Sequence, residues 1–311
     1  MYPDIEPYEH GLLSVGDENA VYWECCGNPK GKPALYLHGG PGSGSTLRAR
    51  RFFDPEAYRI VLFDQRGCGR SRPLVRCMPD LKHNTTQHLI GDIELLRVHL
   101  AIDRWLVLGA SWGTTLALAY AQAHPESVVA LVLASVTTTS RREVQWLTRG
   151  VGRLFPQQWE RFASYASSLR SNASIVDAYA ALLFDDDPSV SAGAAQEWCA
   201  WEESHISLAP GHAPNPRFLD PDFRLRFARI VTHYWSNAAF LEDDQLRKNA
   251  VSLKGLPGVL IHGIYDVSSP LETAWELHRR WPTSELHVVS DAGHGGGSMP
   301  GHIVAALDRL K

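Results

Sequence analysis

Ser111 lies in Gly109-Ala110-Ser111-Trp112-Gly113, with a glycine two residues away on either side. A serine hydroxyl is a weak nucleophile at neutral pH. It becomes reactive when a histidine takes its proton and an acid orients that histidine. Two later residues can fill those places. Asp266 closes Gly263-Ile264-Tyr265-Asp266, and His294 lies in Asp291-Ala292-Gly293-His294-Gly295. Each stands alone as an ordinary feature too: Asp266 as a turn or a cap for the helix after Pro270, His294 as a loop histidine in a Gly-rich turn. Their order after Ser111, each just beyond an apolar run, favours a triad. Ser111 is then the nucleophile, His294 the general base and later general acid, and Asp266 the group holding the imidazole. Asp291 is the rival acid, but it precedes His294 too closely to orient the ring from across a site.

Such residues must be carried to one place by regular elements. Trp105-Leu106-Val107-Leu108 reads as a short buried strand, and Thr114 to Ala123 as a helix rich in Ala and Leu, closed by His124-Pro125. A strand, a tight turn and a helix lift the serine above the carboxyl edge of a sheet. They also aim helix N-terminal N–H groups at any oxyanion formed there. This is the nucleophile elbow of an α/β-hydrolase. Further strands are expected at Val21–Cys25, Ala34–Leu37, Arg59–Phe63, Val128–Leu133, Val259–His262 and Glu285–Val289. Helices are expected at Thr85–Leu100, Leu271–Arg280 and His302–Leu310. The alternation implies an α/β fold with a mostly parallel central sheet and helices on both faces. Asp266 and His294 follow late strands and belong at the same edge as Ser111. The Gly-rich stretch His38 to Gly44 follows an early strand. It supplies a second oxyanion donor, Gly40, beside the backbone N–H of Trp112. It lacks the G-K-S/T ending of a phosphate loop.

The rhythm breaks after Val136. From there to about Arg247 the chain reads as helical, interrupted by Pro-rich breaks such as Ala209 to Pro216. The stretch holds Trp146, Trp159, Trp198, Trp201 and Trp235, half of the ten tryptophans. The expected organisation is a core domain of residues 1–136 and 247–311 with a helical cap, 137–246, inserted between two strands. A chain of 311 residues has room for both. The net charge of −4 gives no reason to expect a nucleic-acid partner, and no run approaches a membrane span. The opening Met1-Tyr2-Pro3-Asp4-Ile5-Glu6 lacks the basic and apolar regions of a signal peptide, so a cytoplasmic chain is expected. Five cysteines without a C-x-x-C argue against zinc and against a disulfide framework.

Taken together, these motifs resemble the proline iminopeptidase family of α/β-hydrolases. The matching pieces are His38-Gly39-Gly40-Pro41-Gly42, Asp64-Gln65-Arg66-Gly67-Cys68-Gly69-Arg70-Ser71, the elbow, Arg153-Leu154-Phe155-Pro156, Trp198-Cys199-Ala200-Trp201-Glu202, Ala228-Arg229-Ile230, His233-Tyr234 and Gly263 to Asp266. The resemblance implies hydrolysis without a cofactor, releasing an N-terminal residue, preferably proline, from a small peptide. It also implies that Glu202 anchors the substrate amine and that cap aromatics such as Trp201 form the apolar pocket. Four positions depart from the family pattern. Val231 replaces a second glutamate, Ala134 replaces an arginine near the far end of the substrate, Ile264 stands where arginine is frequent, and Gly295 where serine is frequent. Val231 and Ala134 keep a second reading open, a carboxylesterase or small-amide hydrolase or acyltransferase acting on a small acyl substrate.

Overall fold

The computed structural model describes residues 1–169, 173–209, 211 and 213–311. Residues 210 and 212 of the Pro-rich break expected at Ala209–Pro216 lie outside the described residues. The strands are β1 (Glu9–Ser14), β2 (Ala20–Gly27), β3 (Lys32–Leu37), β4 (Tyr58–Phe63), β5 (Trp105–Ala110), β6 (Val128–Ala134), β7 (Gly258–Gly263) and β8 (Ser284–Val289). They form one sheet in the order β1-β2-β4-β3-β5-β6-β7-β8. β1 pairs antiparallel with β2, and β2 antiparallel with β4. Every later pairing is parallel. β1 was not expected from its residues. Its side chains alternate between exposed and half-buried, so it carries no apolar run, and it is held as an edge strand by backbone pairing to β2.

The helices are α1 (Leu47–Arg50), α2 (Thr86–His99), α3 (Trp112–Ala123), α4 (Arg141–Gln145), α5 (Pro156–Leu169), α6 (Ile175–Leu182), α7 (Pro188–His205), α8 (Pro221–Ser236), α9 (Gln245–Lys248), α10 (Leu271–Arg280) and α11 (Met299–Arg309). Each inner strand buries alternate residues in opposite layers, as the two-residue pleat requires. On β5, Trp105 and Val107 enter one apolar cluster and Leu106 and Leu108 the other. β4 divides Val61 and Phe63 from Ile60 and Leu62 in the same way. α3 is buried on nearly every side, which is why its sequence is small and apolar all round. No helix among the described residues is long and apolar enough to cross a membrane.

Between β6 and β7 the described chain is helical. Its entry is fixed by the buried carboxylate of Glu143, which accepts hydrogen bonds from Thr138 N and Oγ1, Ser140 N and Thr273 Oγ1. This segment has its own apolar cluster, built from α5, α6, α7 and α8. Phe162 stacks on Tyr179 at 4.6 Å and on Trp201 at 5.2 Å, and Trp198 meets Trp235 edge-on at 5.4 Å. Leu246, Ala250 and Leu253 instead join the cluster beneath the sheet, so the chain is already back on the core by α9.

The Asp64-to-Ser71 string is the bracket between the sheet and the loops above it. Arg66 grips Asp92 of α2 with two bonds of 2.7 Å, and both side chains are nearly inaccessible. Arg66 also donates to the carbonyls of Val15 and His83. Removing one partner of such a pair strands the other charge in the interior. Arg66→Met is expected to lower unfolding free energy by about 3–5 kcal/mol, read from urea denaturation. An unchanged midpoint would show that the pair contributes nothing net.

Candidate active site

Ser111 sits at the turn between β5 and α3 with φ 56° and ψ −125°, a region that side-chain-bearing residues seldom occupy. The two motif glycines make the turn possible. A Cβ on Gly113 would collide with the Leu37 carbonyl of β3, and one on Gly109 with the Gly113 carbonyl. The Ser111 N–H is anchored to the Ala134 carbonyl at the end of β6, 2.9 Å away.

His294 Nε2 lies 2.8 Å from Ser111 Oγ, and His294 Nδ1 lies 2.8 Å from Asp266 Oδ2. The other carboxylate oxygen of Asp266 accepts from Ser269 N at 2.8 Å and Ser268 Oγ at 3.1 Å. Behind it, His262 donates from Nε2 to the Ser269 carbonyl and accepts at Nδ1 from Val136 N–H, tying the acid's loop to the end of β6. Burial pushes the Asp266 pKa up, but His294, His262 and the Ser269 N–H outweigh it, and the carboxyl stays below its usual range. Burial pushes His294 down, yet the Asp266 carboxylate beside it more than offsets this, and its pKa lies above the ordinary histidine value. The three residues read from the sequence as a triad are therefore brought into one hydrogen-bonded chain. Asp291 is elsewhere, accepting from Ser298 N and Oγ ahead of α11.

The Gly-rich loop faces Ser111 from the other side. His38 donates from Nδ1 to the Gly39 carbonyl at 2.9 Å and accepts at Nε2 from Gln65 N–H at 3.0 Å. The Gln65 side chain donates to the His38 carbonyl and accepts from the Trp112 indole N–H. One glutamine thus ties the loop to the first turn of α3. Gly40 and Trp112 both line the space at Ser111. The Trp112 backbone N–H, in the first helical turn, has no acceptor within its own helix.

Two cavities meet at this point. One, of about 450 Å³, runs from Ser111 between the Gly-rich loop, α11 and the segment after α7. The other, of about 60 Å³, lies against Trp112, Leu147, His205 and Trp235. Glu202 lines both, as do Ser111, Gly40 and His294. Burial pushes the Glu202 carboxyl up to about 7, while the charge of His294 pulls the other way. Trp201 is placed in the cap interior, 2% exposed, its indole N–H on the Leu147 carbonyl 3.1 Å away, and it lines neither cavity. Val231 is fully buried in the same interior, so no carboxylate reaches the site from α8 at that position. Ala134 lines the larger cavity.

His205 was not singled out in the sequence. It is buried beside the triad with neither ring nitrogen hydrogen-bonded among the described residues. Burial, reinforced by the charge of His294, holds its pKa down to about 3, which keeps the ring neutral. Its place three residues after Glu202 on α7 was the available signal, since that spacing puts both on one helix face. As for metal ligands, Asp17, His83 and His88 approach one another at the surface, they line neither cavity at Ser111, and Asp17 is already paired with Arg66 at 3.2 Å.

Comparison with known proteins fits this geometry. Residues 32–296 match the family model described as alpha/beta hydrolase fold. The chain is 50% identical to a probable proline iminopeptidase of Streptomyces coelicolor, covering 99% of this chain and 97% of that protein. It is 45% identical to the proline iminopeptidase of Xylella fastidiosa, covering 94% and 93%. It is 43% identical to that of Arabidopsis thaliana, covering 100% and 82%. Among solved structures, proline iminopeptidase of Mycobacterium smegmatis superposes with a TM-score of 0.63 at 20% identity, covering 97% of this chain and 98% of that one. An esterase from Exiguobacterium antarcticum gives 0.61 at 18%, with the same coverage. At such identities the superpositions speak for the fold.

The Gly-rich loop can be tested directly. A Cβ on Gly39 would lie 3.1 Å from Ser111 Cβ and from the Ala110 carbonyl, tight enough to push the loop off the serine. Gly39→Ala is expected to lower kcat by about tenfold or more on any acyl substrate with little change in Tm. Full activity would show that the loop's approach is not needed for turnover.

Proposed function

This chain belongs to the proline iminopeptidase family of α/β-hydrolases, and from that premise we propose that it releases N-terminal proline from small peptides through an acyl-enzyme. It is a hydrolase of prolyl aminopeptidase type. In the proposed mechanism the Ser111 hydroxyl donates its proton to His294 Nε2 as Oγ attacks the prolyl carbonyl. The resulting oxyanion accepts hydrogen bonds from Gly40 N–H and Trp112 N–H. His294, its cationic form stabilised by Asp266, hands the proton to the departing amine. Water then enters, gives a proton to His294, and its oxygen attacks the ester. Collapse restores the serine and frees proline. Residues 137–246 form the cap that closes over the amine end.

The observation that carries this reading is Glu202, a carboxylate lining both cavities at the serine. An aminopeptidase must hold a protonated amine there, and an esterase has no use for a desolvated acid at that point. The missing carboxylate at Val231 favours the esterase alternative, and the two readings separate on substrates. Prolyl p-nitroanilide is expected to be cleaved, N-acetyl-prolyl p-nitroanilide to be nearly inert, and Ser111→Ala to abolish turnover. Preference for p-nitrophenyl butyrate over the free-amine substrate would instead give the esterase reading.

The pH profile supplies a second test. Glu202 binds an ammonium only as the carboxylate, so with its carboxyl near 7 this grip weakens as pH falls through that value. His294 must be neutral to act as base, so its raised pKa makes activity fall in the same direction. For prolyl p-nitroanilide the acid limb of log kcat/KM should therefore approach a slope of about 2, and in Glu202→Gln about 1. Equal slopes would remove Glu202 from amine binding.

A further inference from the structure

The larger cavity is lined by charges of both signs. Glu202 and Glu203 line its cap side, and Arg48 of α1 and Arg217 of the Pro216–Leu219 turn also line it, together with Tyr36 of β3. The carboxylates already have roles to fill. Glu202 faces His294, and Glu203 accepts the Asn215 N–H at 3.0 Å. The two arginines lack such partners. Arg217 donates to the Ser43 carbonyl at 2.7 Å and to Asn215 Oδ1 at 3.4 Å, and its guanidinium lies 4.9 Å from the Phe223 ring. None of these is an acid, and neither arginine forms an ion pair among the described residues. Burial holds the Arg217 pKa below its usual value, the mark of a cation with no counter-charge. Both arginines act electrostatically on the Tyr36 hydroxyl, and all three residues line the same cavity. A half-buried guanidinium without an acid is costly unless something anionic is brought to it, and its planar fork matches a carboxylate.

We propose that Arg217 and Arg48, with the Tyr36 hydroxyl, form a subsite for the C-terminal carboxylate of the leaving part of a short peptide. This rests on the peptidase reading above. A dipeptide or tripeptide is a zwitterion, and this cavity presents a carboxylate near the serine for its ammonium and arginines further along for its carboxylate. Apolar walls from Phe52, Phe218 and Ile303 accommodate the intervening side chain. Among peptides that begin with proline, those with a free C-terminus close to the scissile bond are therefore the preferred substrates, and long chains are poor ones.

The experiment compares kcat/KM for Pro-Ala, Pro-Ala-NH2 and Pro-Asp-NH2 in the wild type, Arg217→Met, Arg217→Lys and Arg48→Met. The acid-to-amide ratio is taken within each variant, so a partly unfolded preparation lowers both rates and leaves it intact. The wild-type ratio is expected at about tenfold or more, expressed in KM and reduced by salt. It should fall towards one in Arg217→Met, fall part of the way in Arg48→Met, and be partly retained in Arg217→Lys. A wild-type ratio near one, or one that neither arginine affects, overturns the proposal. Preference for Pro-Asp-NH2 over Pro-Ala-NH2 without a gain from the free C-terminus also overturns it, because the arginines would then read a side chain. Failure to cleave any prolyl peptide while p-nitrophenyl butyrate is hydrolysed overturns the peptidase reading itself, and this one with it.

Discussion

The structure depends on how closely the backbone of α3 lies against β3 and β5. Gly113 sits where any side chain would meet the Leu37 carbonyl, and Gly109 where it would meet Gly113 itself. Ser111 is held between them in a conformation that costs about 1–3 kcal/mol, and the surrounding core supplies that energy. Trp105 and Val107 below the turn, and Leu116, Leu118 and Tyr120 on the helix, are all buried in one cluster. The strain cannot relax by rotating the serine without pulling the helix off the sheet. The hydroxyl is consequently fixed in space before His294 meets it.

A second constraint follows from burial. Asp266, His294, Glu202 and His205 share a region with little water, and each pKa there is set by desolvation acting against a specific neighbour. Asp266 keeps its charge because His294, Ser269 N–H and Ser268 Oγ surround it. Glu202 has no such donor set and its carboxyl rises to about 7. His205 has no hydrogen-bonded ring nitrogen among the described residues and stays neutral. The same dry surroundings thus produce a firmly ionised acid, a carboxyl poised near neutrality and an uncharged imidazole. What sets Asp266 apart is chiefly the charge of His294 beside it, with the hydrogen bonds from His294 and Ser269. A carboxylate left poised in this way gains most from an arriving ammonium, since the pairing removes the penalty that raised its pKa.

The core was legible in the sequence because its signals are local. Runs such as Leu106-Val107-Leu108 and Val259-Leu260-Ile261 are buried on both faces and read as strands from apolar content alone, with ends shifted by a residue or two. Ser111, Asp266 and His294 were legible because a parallel sheet delivers the loops after its strands to one edge. β1 was not, since an edge strand needs only backbone pairing and its side chains carry no pattern. Trp201 illustrates a subtler limit. An aromatic residue beside Glu202 could face a ligand or the cap interior, and helix phase alone does not choose. Packing against Phe162 does. Arg217 was invisible for the same reason, because its meaning lies in which neighbours it lacks, whereas the spacing of His205 from Glu202 on α7 was there to be read.

The cap joins the site at a few defined points. The His294 N–H donates to the Ile206 carbonyl at 3.3 Å, and a Cβ on Gly293 would strike Ser207. The loop bearing His294 is thus in backbone contact with the end of α7, the helix that carries Glu202. A displacement of α7 would lengthen that hydrogen bond and free the His294 loop on that side. Asp266 holds the imidazole through Nδ1. The position of His294 against Ser111 is therefore tied to the end of α7 as well as to Asp266.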